Sequence, residues 1–311
     1  MPLPWRIAGM NDGAAPRSLT QRWVAGHLPD RPLLAHKGDF GRLLVVAGST
    51  EYPGAAMLAA LGAMRAGAGL VRVAAAESVA AQLAGAAPEL TWMVLDEESP
   101  GLIAPSGWRR VTSEATRYDA VVVGPGLGRQ PATLRRTRNL ITALRVPGVI
   151  DADGLNALAD GGDWWKNLRV PLVLTPHPGE FGRLVRDEPP ASDDDAGRSR
   201  AARDAAVRWQ QVLVLKGAHT VVAGPDDEPL RSDVASPALA TAGSGDVLAG
   251  VIGALLAAGL PPFIAAGCGV AIHAAAGLMA EDRIGRAGVL ARDLAALLPE
   301  AIEHLRGGRS P

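Results

Sequence analysis

The chain reads as a single α/β domain, doubly wound, with a mostly parallel central sheet and helices on both faces. Three observations predict this class. From Gly41 onward, short β-rich apolar runs alternate with longer Ala/Leu-rich runs, the pattern of strands linked by crossover helices. Several short runs, Ala120-Val121-Val122-Val123 among them, are continuously apolar, as strands covered on both faces must be. And 311 residues that are 48% hydrophobic are enough for one large core.

In chain order, strands are predicted over residues 43–47, 70–74, 120–123, 149–151, 172–174, 212–215 and 220–223. Between them, helices are predicted over 55–66, 132–144, 201–210, 246–258, 262–280 and 289–305. Residues 1–35 lack apolar periodicity and read as an N-terminal extension, with the domain over 36–311. The polar stretch 187–199, which holds Asp193, Asp194 and Asp195, reads as a solvated loop rather than a metal cluster. The uncharged run 263–280 is mostly Ala and Gly with His273 inside it. It is weakly hydrophobic for its length and reads as a buried helix, not a membrane span.

A formal charge of −1 gives no overall basic footprint for nucleic acid and no acidic tail. The single cysteine, Cys268, leaves no intrachain disulfide and reads as a core thiol. No secretory leader pattern is visible in residues 1–30, so a cytoplasmic protein is expected.

The strongest chemical signal is Ala242-Gly243-Ser244-Gly245-Asp246, followed by an apolar run. Glycines before a helix let backbone N–H groups converge into an anion nest at the positive end of the helix dipole. A carboxylate there would repel a resting phosphate. It can act as the base that takes a proton from an attacking hydroxyl, or merely cap the helix; spacing alone leaves both open.

Four further motifs fall at predicted strand ends, where α/β sheets bind ligands. Lys216-Gly217-Ala218-His219-Thr220 turns between two apolar strands, and Lys216 there is either a ligand contact or an exposed turn lysine. Gly124-Pro125-Gly126-Leu127-Gly128 closes another strand, but is neither a Walker A loop nor a Rossmann fingerprint. Asp151, Asp153 and Asn156 follow a third, and Thr175-Pro176-His177-Pro178-Gly179-Glu180-Phe181 follows a fourth. The prolines beside His177 restrict its backbone and present the imidazole rigidly.

These motifs, in this order, resemble the NAD(P)H-hydrate dehydratase family of the ribokinase-like superfamily. The resemblance also takes in His36-Lys37-Gly38-Asp39-Phe40-Gly41, Val46-Ala47-Gly48-Ser49, Pro53-Gly54-Ala55-Ala56 and Ala63-Met64-Arg65-Ala66-Gly67-Ala68-Gly69. It implies a ribokinase-like fold and an enzyme that uses ADP or ATP to remove water from the 6S epimer of hydrated NADH or NADPH. The C6 hydroxyl would be phosphorylated and phosphate then eliminated, releasing AMP when ADP is the donor. Carried over by position, Asp246 is the base, with Gly243, Ser244 and Gly245 as the anion hole. Lys216, Gly217, Ala218, His219, Thr220 and Gly245 would hold the nucleotide. Ala55, Gly126, His177 and Asp246 would contact the hydrated cofactor, with Asp151, Asn156 and Glu180 as further site residues. Mg2+ would accompany the nucleotide phosphates, and a homo-oligomer, a tetramer, is implied.

Ser244 stands where many members carry Thr. The epimerase domain fused in many bacterial relatives is not expected in this chain, so a separate epimerase should act upstream. Two rival readings share the glycine-aspartate nest: a kinase of a small vitamin-precursor alcohol, and a nucleotide sensor without catalysis. The His36–Gly41 and Thr175–Phe181 motifs favour the dehydratase over the kinase, and Asp246 argues against the sensor.

Overall fold

The computed structural model describes residues 16–307. Residues 1–15 of the expected extension and 308–311 of the expected domain lie outside the described residues.

The elements in chain order are β1 (Arg17–Ser18), α1 (Gln21–Ala25), β2 (Arg42–Val46), α2 (Pro53–Arg65), β3 (Leu70–Ala76), α3 (Glu77–Leu83) and β4 (Thr91–Leu95). A small hairpin, β5 (Glu97–Ser99) with β6 (Leu102–Ile103), precedes α4 (Pro105–Glu114), β7 (Ala120–Val123), α5 (Pro131–Ala143), β8 (Gly148–Ile150) and α6 (Asp153–Ala159). Then come β9 (Leu172–Leu174), α7 (Pro178–Val185), α8 (Asp195–Trp209), β10 (Val212–Leu215), β11 (Val221–Ala223) and β12 (Leu230–Arg231). Three helices finish the described chain: α9 (Ser244–Ala257), α10 (Pro262–Arg283) and α11 (Ala291–Leu305).

Ten strands form one sheet in the order β1-β12-β11-β10-β9-β8-β7-β2-β3-β4. From β4 to β10 every pairing is parallel; only β11 runs against its neighbours. The predicted valine- and leucine-rich runs are the middle of this sheet. Every residue of β7, β8, β9 and β10 is buried, because helices cover both faces. The sequence order reverses between β7 and β2, and there the carboxyl ends of adjacent strands diverge into separate loops.

Several elements differ from the expectation. β4 is an edge strand outside the predicted set: Trp92-Met93-Val94-Leu95 is an apolar run, but the burial pattern is exposed, intermediate, buried, exposed, buried. α8 starts at Asp195 rather than 201, and Asp194 caps it by accepting from Gly197 N–H at 2.8 Å. The stretch 187–199 is therefore only partly a solvated loop: its last residues are helical, and Arg198 and Ser199 are buried. α9 begins two residues before its predicted start, because Gly243 with φ 85° ends the preceding loop. α10 is apolar and long enough to span a membrane, yet 72% of its most apolar window is buried inside the fold. Cys268 on that helix is fully buried, and burial pushes its thiol up to about 12.

The N-terminal segment is fastened to the domain. β1 pairs in parallel with β12, Arg17 opposite Leu230. Thr20 caps α1 through Trp23 N–H, and Val24 of that helix is fully buried. Gln21 Nε2 donates to His304 O at 2.7 Å, and Arg306 donates to Pro29 O at 2.6 Å.

α9 lies directly on α2. A Cβ at Gly250 would come 1.9 Å from Ala59 O, and one at Gly62 would come 2.5 Å from Val247 O. Only hydrogen atoms fit between the two backbones there, and this contact fixes the height of the α9 N-terminus above the sheet.

Candidate active site

The polar motifs meet at the carboxyl end of the sheet. Asp151, just past β8, is 1% exposed. Its Oδ1 accepts from Lys216 Nζ at 2.8 Å and from Thr175 Oγ1 at 2.7 Å. Lys216 follows β10 and Thr175 follows β9, so three neighbouring strand ends converge on one carboxylate. Lys216 is not an exposed turn lysine: its side chain is 20% exposed. Burial alone would lower its pKa, but Asp151 and Glu180 outweigh that and hold it above the ordinary lysine value.

Glu180 is the neighbour on the other side, with Oε2 4.0 Å from Lys216 Nζ. It belongs to a reciprocal cap at the start of α7. His177 Nδ1 accepts from Gly179 N–H at 3.0 Å, while Glu180 Oε2 accepts from His177 N–H at 2.9 Å. Since Nδ1 accepts, the imidazole proton sits on Nε2, which is 3.4 Å from Glu180 Oε1. Burial, then the positive charges of Lys216 and Arg183, hold the His177 pKa below its ordinary value. His177 is therefore a neutral N–H donor at neutral pH. Burial also raises Glu180. Phe181, 2% exposed, packs against Trp209 with ring centroids 6.3 Å apart and seats α7 on α8.

Between Asp151 and Asp153 the backbone is strained. Ala152 has φ 47° and ψ −116°, a region that a residue with a Cβ avoids and that costs on the order of 1–3 kcal/mol. After this turn Asp153 makes contacts distinct from those of Asp151. It accepts from Gly128 N–H at 2.9 Å, Arg129 Nε at 3.2 Å and Asn156 Nδ2 at 3.1 Å. Asn156 Oδ1 accepts in turn from Arg183 Nε at 2.9 Å. The loop holding Gly126 sits beside this network and against α2, where a Cβ at Gly126 would come 2.8 Å from Ala55 Cβ.

The N-terminus of α9 faces Lys216 and Asp151: a Cβ at Gly245 would lie 3.3 Å from Lys216 Nζ and 3.9 Å from Asp151 Oδ2. The nest differs in one member from the predicted set. Ser244 N–H donates to Thr241 O at 3.2 Å, whereas Gly243, Gly245 and Asp246 N–H have no acceptor among the described residues. Three free N–H groups at a helix start form an anion site. Ser244 itself is buried, its Oγ and carbonyl both 3.0 Å from His273 Nε2. Burial holds His273 down at about 4, so that ring is neutral and its Nε2–H is spent on the Ser244 carbonyl.

Asp246 is the third residue of α9, and Gly243 is the cap. Its carboxylate makes no hydrogen bond among the described residues, so the capping alternative has no contact behind it. Burial, followed by the negative charge of Asp151, pushes Asp246 up to about 7, against the pull of Lys216.

The Lys216–Thr220 loop is held from beneath. Arg198, 1% exposed, donates through Nη2 to Leu215 O at 3.3 Å, Lys216 O at 3.2 Å and His219 O at 3.4 Å. Gly217 lies against that guanidinium. His219 Nδ1 is 2.8 Å from Asp195 Oδ2, and Thr220 Oγ1 donates to Gly217 O at 3.0 Å. The structure thus brings Ala55, Gly126, Asp151, Asn156, His177, Glu180, Lys216 and Gly243–Asp246 together through connected contacts. It adds four residues that the motif reading passed over. Thr175 lay inside a quoted motif. Arg129 directly follows Gly128, a usable signal. Arg183 and Arg198 sit in helices, and nothing local marks them.

A mostly parallel, doubly wound sheet with a glycine-bounded helix start over a buried Lys–Asp pair defines the ribokinase-like fold. A profile of the NAD(P)H-hydrate dehydratase family matches residues 43–300. The chain belongs to the NAD(P)H-hydrate dehydratase family. It is 38% identical, over 92% of its length and 97% of the relative, to the ADP-dependent (S)-NAD(P)H-hydrate dehydratase of Xanthomonas campestris. It is 41% identical to the bifunctional NAD(P)H-hydrate repair enzyme Nnr of Moorella thermoacetica, over 93% of this chain but 54% of that relative. The chain thus spans about half the length of the bifunctional relative. The crystal structure of the ADP/ATP-dependent NAD(P)H-hydrate dehydratase of Bacillus subtilis, co-crystallised with ATP and Mg2+, superposes with a TM-score of 0.79. It is 30% identical, with 94% of this chain and all of that one covered.

Proposed function

We propose that this protein uses ADP or ATP to dehydrate the 6S epimer of hydrated NADH or NADPH and so restores the normal cofactor. The observation that carries the reading is Asp246, a carboxylate without a hydrogen bond, pushed up to about 7 beside three free N–H groups. A base poised near the working pH is what proton removal from a hydroxyl needs.

In this reading the terminal phosphoryl group of the nucleotide lies on the Gly243, Gly245 and Asp246 N–H groups, with Lys216 beside it. Asp246 takes the proton of the C6 hydroxyl as that oxygen attacks phosphorus, and AMP leaves when ADP is the donor. The ring nitrogen lone pair then expels phosphate from C6, and a proton leaves C5 to restore the dihydropyridine. His177 Nε2–H, neutral and aimed by its cap, donates to the nicotinamide end of the substrate. Ala55 and Gly126 form a wall without side chains long enough to obstruct a planar ring.

Magnesium would be held by nucleotide phosphates and water. No group of three or more His, Cys, Asp or Glu among the described residues is placed to hold an ion. Asp151 and Glu180 are already bound to Lys216 and to His177 N–H. When bound, the ion neutralises charge on the phosphates. The bifunctional name of the Moorella relative supports an epimerase as the activity that supplies the 6S form.

The test supplies hydrated NADH with ADP or ATP and follows the near-ultraviolet absorbance of the reduced nicotinamide. Recovery of absorbance with one nucleotide hydrolysed per cofactor supports the reading. A phosphorylated product that accumulates without recovery sinks it.

A further inference from the structure

We infer that Arg129 and Arg183 form a phosphate-binding pair for the substrate dinucleotide at the mouth of the cleft; the inference rests on the function proposed above. Each guanidinium is tethered in the same way. Arg129 donates through Nε to Asp153 at 3.2 Å, and Arg183 through Nε to Asn156 at 2.9 Å. The two acceptors are themselves joined, Asn156 Nδ2 to Asp153 Oδ1 at 3.1 Å, and both lie on the first turn of α6. A chain of three hydrogen bonds therefore fixes one arginine relative to the other.

The tether leaves the reactive part of both side chains unused. Neither arginine has a partner for its Nη groups among the described residues, and these are the fork that grips phosphate oxygens in pairs. The carboxylates that could compete are occupied: Asp153 by three donors, Asp151 by Lys216 and Thr175, Glu180 by His177 N–H. Asp153 and Asn156 are 8% and 9% exposed, so the anchors are rigid. The Arg129 side chain is 64% exposed, so the forks are open to solvent.

Their position matches the substrate. Both arginines bear electrostatically on His177, together with Lys216, and a Cβ at Gly179 would be 3.9 Å from Arg183 Nη1. They stand on the His177 side, where the proposed reading seats the hydrated nicotinamide. A dinucleotide placed there carries anionic phosphate next to its nicotinamide ribose. The ligand chemistry is thus a phosphate of the dinucleotide, either the pyrophosphate bridge or the 2′-phosphate of NADPH.

The experiment measures kcat and KM with hydrated NADH and hydrated NADPH, and titrates NADH and NADPH directly by their fluorescence. It compares wild type, Arg129→Gln and Arg183→Gln. Loss of one charge-assisted contact should raise KM and Kd roughly tenfold while kcat stays within about twofold. Equal weakening toward both cofactors assigns the pyrophosphate; weakening confined to NADPH assigns the 2′-phosphate. Wild-type KM and Kd in both variants overturn the inference and leave the dehydratase reading standing. An inactive wild type whose NADH binding still weakens in the variants overturns the dehydratase reading instead.

Discussion

Lys216 Nζ lies 2.8 Å from Asp151 Oδ1 and so bridges the ends of β10 and β8 across β9. Thr175, at the end of the bridged strand, donates to the same oxygen. The pair holds the sheet end together and also fixes a positive charge beneath the nest.

Lys216→Met should therefore damage stability as well as nucleotide binding. Removing one partner of a buried ion pair leaves the other uncompensated, at a cost of about 3 kcal/mol or more. Urea denaturation should register that loss, and adding Asp151→Asn should recover most of it. Nucleotide affinity, read by calorimetry, should fall in both variants. Wild-type stability in Lys216→Met would show that Thr175 alone satisfies Asp151.

Asp246→Asn should lower turnover by a factor on the order of 10² or more while making the fold more stable. The folded protein raises Asp246 from the ordinary carboxylate range to about 7, so it binds that proton more tightly than the unfolded chain does. The resulting stability is present at low pH and is lost as pH rises to 7. The Tm of Asp246→Asn should thus match wild type near pH 4, exceed it progressively up to pH 7, and keep that margin above. Wild-type kcat/KM should fall as pH drops below about 7. A Tm difference independent of pH would contradict the raised pKa.

His177→Ala removes both the cap of α7 and the Nε2–H, whereas His177→Asn keeps a cap. The alanine variant should lose about 1 kcal/mol and the asparagine variant much less. Both should raise KM for the hydrated cofactor. Equal KM in Asn and wild type would leave His177 as a cap alone.

Gly250→Ala should be among the most damaging single substitutions outside the site. Its Cβ would meet Ala59 O at 1.9 Å, and no flexible side chain is there to yield. The cost should be about 3 kcal/mol, at the upper end for overpacking, or more. If it folds, its turnover should drop because α9 lifts and carries Asp246 with it. Unchanged Tm and turnover would mean that α2 and α9 slide freely.

The sequence is most legible where burial is symmetrical. β7, β9 and β10 match their predicted bounds because strands covered on both faces must be apolar throughout. β4 was missed although Trp92-Met93-Val94-Leu95 is an apolar run, and α7 is hard to read because Pro178-Gly179 at its start reads as a turn. Within the site, the nest and the strand-end motifs follow from local spacing. The burial of Lys216 and the support from Arg198 depend on residues brought together only by the fold. The strain at Ala152 was hidden for another reason: in Asp151-Ala152-Asp153-Gly154 the glycine stands two places after the positive φ.

The clasp between the two ends of the described chain sets an order of events during synthesis. Among the described elements β1 and α1 are made before the rest of the sheet, yet their partners β12 and α11 come much later in the chain. While the chain grows, the segment around Val24 has no surface to dock on, and once β12 emerges its outer edge stays bare until β1 returns to it. An edge left open in that interval is a template for pairing with other chains. Closing it is thus a late step of folding, and a variant that weakens the Gln21–His304 or Arg306–Pro29 contacts would aggregate during refolding while its completed fold still worked.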